Sequence, residues 1–318
     1  QVGALNYIFH LRENVKFHNG NPFTWEDVKF TFNRASNPDV SEMLATGSVI
    51  KSVEKVDGDP WTIRVTITEK TPYFIDNIPQ MWIMDKESTE ARTPGQVGSS
   101  PIGTGPYEFV KWVRGSYIEM TRNENYWGEK PPVKDVTYKI LPEAATRYAE
   151  LAAGRCDIIK DLPIEMFEKV KSNPDISVIT EKGRRTMFLV VPNNPELPTE
   201  DIRVRKAIYM AIPIEEFINT TLGGHGYPAS QVPDKATTGY SEEIERLPYN
   251  PERARELLTE AGYPNGFEIE FYGCSNCYER ESEGDQAIAQ YLSKIGIDLD
   301  MNVFPSSKFY PQRDAHNY

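Results

Sequence analysis

The sequence predicts an α/β chain of two unlike halves, strand-rich at first and then alternating between helix and strand. Two patterns carry that expectation. In residues 61–68, Trp61, Ile63, Val65 and Ile67 alternate with Thr62, Arg64, Thr66 and Thr68, the period of a half-buried strand. In the second half Val204, Ala207, Ile208 and Ala211, then Ala254, Leu257, Leu258 and Ala261, then Ile288, Tyr291, Leu292 and Ile295 recur at i, i+3, i+4, i+7. That spacing makes the apolar stripe that packs a helix onto a sheet.

The elements follow in order. Tyr7, Phe9 and Leu11 alternate with Ile8 and His10 in a strand that runs into the turn Asn19-Gly20-Asn21-Pro22. Thr24 with Asp27 three residues on forms a capping box, and Trp25, Val28, Phe32 and Ala35 then recur at helical spacing. Strands are expected over residues 107–113 and 136–141, before a helix that carries Ala145, Tyr148, Ala149 and Ala152 and closes at Gly154. A strand pair at 176–180 and 187–191 is expected to straddle the basic turn Lys182, Gly183, Arg184 and Arg185. Asn250 with Pro251 supplies an N-cap and a first-turn proline, Gly262 and Gly296 sit where left-handed C-caps belong, and strands fill 267–272 and 297–303.

The 318 residues suffice for about two domains, and a chain that is 39% hydrophobic and 26% charged is a folded one. With 35 Lys plus Arg against 47 Asp plus Glu, the net charge of -12 works against a nucleic-acid partner. No apolar run approaches the ~18 residues of a spanning helix. Residues 1–6 lack the basic start and apolar stretch of a secretion signal, so either the protein is cytosolic or a signal has been removed.

Templates for catalysis and metals are not matched. The sequence has no Gly-x-Ser-x-Gly, no His-Glu-x-x-His, no phosphate loop and no calcium loop. His10, His18, His225 and His316 are far apart, and each reads as a surface or hydrogen-bonded residue. Cys156 stands alone, while Cys274 and Cys277 read as a local disulfide or as two inert thiols. No cofactor and no resident metal are expected. Aromatics say more: Tyr73, Phe74 and Trp82 lie in a segment, 71–85, that Pro72 and Pro79 keep from being one regular helix or a central strand. Such a segment borders a cleft or folds over the core. Gly103-Thr104-Gly105-Pro106-Tyr107 reads as a tight turn that starts a strand, and Phe17 and Trp127 read as core.

Together these segments resemble a known family. Tyr7-Ile8-Phe9-His10-Leu11-Arg12-Glu13-Asn14-Val15-Lys16-Phe17-His18-Asn19-Gly20 through Phe23-Thr24-Trp25-Glu26-Asp27-Val28 is similar to the signature stretch of the family 5 extracellular solute-binding proteins. These are the dipeptide, oligopeptide and nickel receptors of ABC importers. Matches continue in register at Ser100-Pro101-Ile102-Gly103-Thr104-Gly105-Pro106-Tyr107, Arg122-Asn123-Glu124-Asn125-Tyr126-Trp127-Gly128, Arg147-Tyr148 through Gly154 and Asp157, Asp201-Ile202-Arg203-Val204-Arg205-Lys206-Ala207-Ile208, and Tyr249-Asn250-Pro251 through Ala261-Gly262-Tyr263.

The resemblance implies a two-lobed, class II periplasmic-binding-protein-like fold of mixed sheets with flanking helices. The first lobe would span 1–184, the second 185–318, with a crossing near 185–191. It implies a piece of a longer polypeptide: the first lobe is incomplete, sheet edges lack their missing strands, and the chain stops at Tyr318, before the acidic residue that commonly pins a peptide amino terminus. The expected function is capture of a short peptide and delivery, unaltered, to a membrane permease, by a monomer in the periplasm or anchored by lipid at the cell surface. An oligosaccharide or nickel-chelate receptor stays open within the family, and a peptide or glycoside hydrolase outside it. The expected ligand residues are Tyr73, Phe74 and Trp82 as an apolar wall, with Arg185, Thr186, Met187 and Phe188 at the crossing. Arg185 offers a bidentate donor to a carboxylate or is an exposed turn charge, and Phe188 is ligand wall or core.

Overall fold

The computed structural model describes residues 5–41, 43–275 and 277–314. Backbone contacts divide the chain into two compact units, Gln1–Pro142 and Glu143–Tyr318.

The first unit begins β1 (Asn6–His10), α1 (Trp25–Ala35), α2 (Leu44–Gly47), β2 (Ile50–Lys55) and β3 (Thr62–Ile67). The antiparallel sheet is ordered β1-β3-β2, with Tyr7 opposite Val65 and Val53 opposite the same residue. Placing β3 in the middle explains its alternation: Ile63, Val65 and Ile67 are buried with Val28, Phe32 and Ala35 of α1 and with Val15, Phe17 and Phe23. The cap of α1 is the expected capping box, Thr24 N–H donating to Asp27 Oδ2 at 2.8 Å. Asp27 is itself buried, and its Oδ1 accepts from Lys86 N at 2.9 Å. Thr31 Oγ1 accepts from Met84 N at 2.9 Å, so residues 84–86 are fastened to one face of α1.

The short helices α3 (Phe74–Asn77), α4 (Lys86–Glu90) and α5 (Pro94–Ser99) precede the meander β4 (Tyr107–Val113), β5 (Tyr117–Arg122) and β6 (Asp135–Lys139). Three side chains staple the glycine turn before β4. His18 lies 3.0 Å from Gly105 O through Nε2, Asn123 Nδ2 donates to the same oxygen at 3.2 Å, and Trp127 Nε1 donates to Thr104 O at 3.0 Å. Phe17 is core as expected, but Trp127 is not. It is 43% exposed, because its indole N–H serves the turn and the Arg12 guanidinium covers its ring at 4.2 Å.

The second unit contains α6 (Ala144–Ala152), α7 (Ile164–Lys171), α8 (Ile202–Met210), α9 (Ile214–Thr221), α10 (Pro251–Glu260), β7 (Phe267–Ser275), α11 (Glu281–Ser293), β8 (Ile297–Pro305) and α12 (Ser306–Asp314). β7 and β8 pair in parallel, joined by α11 as a crossover. The three expected stripes meet in a core formed by Val204, Ala207, Ile208, Ala211, Ala254, Leu257, Leu258, Leu292, Ile295 and Ile297, except that Tyr291 of the third packs with Phe217 and Ile218 of α9. Asn250 caps α10 by accepting from Arg253 N at 2.8 Å, and Gly262 and Gly296 take φ of 96° and 90°.

Two expectations fail here. Residues 176–180 and 187–191 form no ladder among the described residues. Alternation survives at 188–191: Leu189 and Val191 pack on the core while Phe188 and Val190 turn outward, but a strand requires a neighbour to bond with and no described strand lies alongside. The α6 stripe also does not bury, since Ala145, Ala149 and Ala152 are exposed. Helical spacing fixes which residues share a face and leaves open whether anything covers it.

The division at Pro142 differs from the expected lobe boundary at 184/185. Residues 143–184 are held within the second unit by Phe167 on His225, ring centroids 4.7 Å apart, and by Arg184 on Asp234 at 3.2 Å.

Leu258 is 1% exposed in the second core, whereas Val110 on β4 is 54% exposed. Leu258→Ala is expected to lower unfolding free energy by about 2–5 kcal/mol in urea titration. Val110→Ala should stay within about 0.5 kcal/mol; equal effects would refute the core assignment.

Candidate functional site

In the first unit, the proline-broken segment folds as α3 followed by a 3-10 turn at Ile78–Gln80. It does not present its three aromatics alike. Phe74 is 1% exposed and lies in the core, its ring centroid 5.0 Å from that of Tyr7. Adjacent Tyr73 is 53% exposed and Trp82 is 84% exposed. Phe74 thus anchors the segment that displays the other two. The chain just after Trp82 is fixed: Met84 N and Lys86 N donate to Thr31 and Asp27 of α1, and Asp85 is buried and accepts from Asn19 Nδ2 at 2.6 Å, Asn21 Nδ2 at 2.9 Å and Ser88 N at 3.2 Å.

In the second unit the two adjacent arginines differ. Arg184 Nε donates to Asp234 Oδ2 at 3.2 Å, and its Nη2 donates to Thr237 Oγ1 at 3.1 Å. The Thr237 hydroxyl, then the Arg184 charge, holds the Asp234 carboxyl below its usual range. Arg185 is exposed and has no carboxylate partner among the described residues; its guanidinium lies 5.6 Å from the centre of the Tyr278 ring. Thr186 is half-buried, while Met187 and Phe188 are exposed, so Phe188 is not core.

Sequence reasoning missed the group that Arg185 rests on. The Tyr278 hydroxyl lies 3.5 Å from that of Tyr310 on α12, and the Arg313 guanidinium lies 4.9 Å from the Tyr310 ring centre. The Tyr278 hydroxyl is the main reason, with burial second, that the Tyr310 phenol titrates above its ordinary value. Tyr278 follows the end of β7 and Tyr310 follows β8, so both stand at the carboxyl end of parallel strands, where α/β sheets bind ligands. Guanidinium and phenol donors placed there suit a carboxylate.

Cys274 and Cys277 form a disulfide with Cα atoms 5.8 Å apart, which decides between the two alternatives left open by the sequence, and Cys156 is free. The bridge closes a loop organised by Glu281, whose Oε2 accepts from Cys277 N and Tyr278 N, each at 3.1 Å. Burial nevertheless raises the Glu281 carboxyl above its ordinary value. Asp285, one helical turn on, is buried with Oδ2 unpartnered, and burial first and the Glu281 charge second push it up to about 6. Of the histidines, His10 Nδ1 lies 2.8 Å from Thr62 Oγ1, and His316 lies outside the described residues.

Residues 2–318 match the family model of bacterial extracellular solute-binding proteins, family 5 middle. The chain is 33% identical over 293 residues to heme-binding protein A of Haemophilus influenzae, covering 85% of this chain and 53% of that protein. It is 28% identical over 310 residues to the glutathione-binding protein GsiB of Pectobacterium atrosepticum, covering 96% and 59%. Among solved structures, the periplasmic binding protein DppA of Helicobacter pylori in complex with the peptide STSA superposes with a TM-score of 0.76 at 26% identity, over 98% of this chain and 64% of that one. The chain therefore spans between half and two thirds of each relative's length.

The buried Asp285 sets a pH dependence. Its folded value of about 6 lies above the ordinary 3.8, so between the two the folded chain keeps a proton that the unfolded chain has lost. Its contribution to stability is complete below 3.8 and is lost as pH rises through about 6. Asp285→Asn should therefore raise the urea midpoint at neutral pH and change it little at pH values below 3.8; a pH-independent difference would refute this.

Proposed function

The chain belongs to the bacterial extracellular solute-binding proteins, family 5, and from that premise we propose that it is the receptor of an ABC importer that captures a short peptide and passes it unaltered to a membrane permease. The observation that carries the ligand class is Arg185, an exposed guanidinium without a carboxylate partner among the described residues, stacked on Tyr278 at the carboxyl end of β7. A peptide terminates in the planar carboxylate that such a fork binds bidentately. Tyr73 and Trp82 offer exposed aromatic surface for side chains in the first unit. Relatives named for glutathione binding, and for binding the peptide STSA, support a peptide over a sugar.

In this reading residues 1–184 and 185–318 act as the two functional lobes, with the crossing at 185–191 as their hinge. The protein works as a monomer in the periplasm or at the cell surface, tethered there by lipid. Among the described residues no helix is long and apolar enough to cross a membrane.

Mass spectrometry of small molecules released from the purified protein tests the ligand class, and recovery of sugars or metal chelates in place of peptides would overturn it. Calorimetric titration tests the residue. Arg185→Ala should weaken a peptide with a free carboxylate by about 1.5–3 kcal/mol, roughly 10–150-fold, and leave the corresponding peptide amide unchanged. Equal losses for both would remove Arg185 from carboxylate recognition.

A further inference from the structure

Beyond the peptide reading and independent of it, we infer that Cys274, Cys277 and Glu281 form a redox-gated site for one thiophilic divalent cation of the zinc or cadmium type. Donor atoms of the three residues all lie within 4.8 Å of one another. In a tetrahedral site with metal–ligand distances of about 2.0–2.3 Å, donors sit roughly 3.3–3.8 Å apart, so the bonded sulfurs have to separate after reduction while the carboxylate oxygen stays within reach of both. Cys-x-x-Cys spacing supplies two sulfurs from one short loop, and Glu281 is already oriented. Its Oε2 is held by the N–H groups of Cys277 and Tyr278, the supporting bonds that a ligating carboxylate needs.

A second observation points to a missing positive charge. Asp285 is 9% exposed, and its Oδ2 has no hydrogen-bond partner. It lies against the residue before Cys274: a Cβ placed on Gly273 would fall 2.5 Å from that oxygen. Among the described residues no Lys or Arg pairs with Glu281 or Asp285. The nearest basic side chain in sequence, Arg280, donates to Thr221 O at 3.2 Å and lies 4.0 Å from Glu283. Two buried or half-buried carboxylates beside two sulfurs, without a cation, are an electrostatic deficit that a bound dication fills.

The disulfide removes both thiolate donors, so the oxidised chain has no site. A dithiol opens it in a two-electron exchange: the disulfide gains two electrons and two protons to become two thiols, and the dithiol becomes its cyclic disulfide. The cation then displaces both thiol protons to solvent as two metal–sulfur bonds form. Because Glu281 also holds Tyr278, occupancy of the site is transmitted to the ring under Arg185.

The test uses the full chain carrying Cys156→Ala, which removes the free thiol. The chain is reduced with dithiothreitol, freed of reductant by anaerobic gel filtration, and titrated with cadmium. The expected result is a cadmium–thiolate charge-transfer band saturating at one ion per chain, absent from the oxidised chain and from Cys277→Ser. Glu281→Gln should keep the band but weaken binding about tenfold or more. Absence of the band in the reduced chain, its presence in the oxidised chain, or an unchanged affinity in Glu281→Gln would overturn the proposal. The reduced and oxidised chains carry the same sequence, so the first comparison does not depend on how a substituted loop folds.

Discussion

Carboxylates at helix N-termini fix the chain beside both groups of exposed candidate residues. Asp27 sits in the first turn of α1, Asp85 is the N-cap of α4, and Glu281 opens α11. Each accepts backbone N–H groups that a helix start or a loop leaves without a partner, and each sits where the helix dipole favours negative charge. Asp27 reaches beyond its own helix to Lys86 N, and Glu281 reaches back to Cys277 N and Tyr278 N. A ring on a loop is useful in recognition only if the loop has one conformation; a charged hydrogen bond to the main chain fixes Tyr278 itself and, in the first unit, Lys86, four residues after Trp82.

The same device explains why one segment combines a core residue with display residues. From Phe74 to Lys86 the chain is fixed at both ends, by an aromatic ring inside the first core and by Asp27 and Thr31 on α1. Pro72 before these anchors and Pro79 between them prevent a continuous helix, and Tyr73 and Trp82 project outward instead of joining a stripe. Their exposure follows from anchoring and is no sign of a loose loop.

What the sequence made legible was local. The Thr24–Asp27 box, the three helical stripes, the N-cap at Asn250 and the strands at 107–113 and 267–272 depend on residues a few positions apart, and all are present. α9 obeys the same spacing, Ile214, Phe217, Ile218 and Thr221, so its helix too is a local signal. β2, by contrast, buries only Ile50 and Val53, three apart as in a helix and not two as in a strand, because a register shift between Ile50 and Ser52 interrupts its pairing with β3. The pairing of Tyr278 with Tyr310 spans 32 residues, and no periodicity of either segment announces it. Strand status at 187–191 and burial of the α6 stripe likewise depend on partners rather than on pattern.

Arg184 and Arg185 show how environment separates identical side chains. Arg184 donates to Asp234, Ala236 and Thr237, and binding a ligand carboxylate there would first require breaking those bonds, with the Asp234 charge left behind to repel the newcomer. Arg185 spends its guanidinium face on Tyr278 and keeps its N–H edge, the part that recognises a carboxylate, out of any ion pair among the described residues. Stacking restricts the long side chain at little cost to its hydrogen-bonding capacity, which lowers the entropy lost when an anion arrives. The neighbouring pair thus divides a basic turn: one arginine ties the turn to the 234–237 loop, and the other is exposed beside Tyr278.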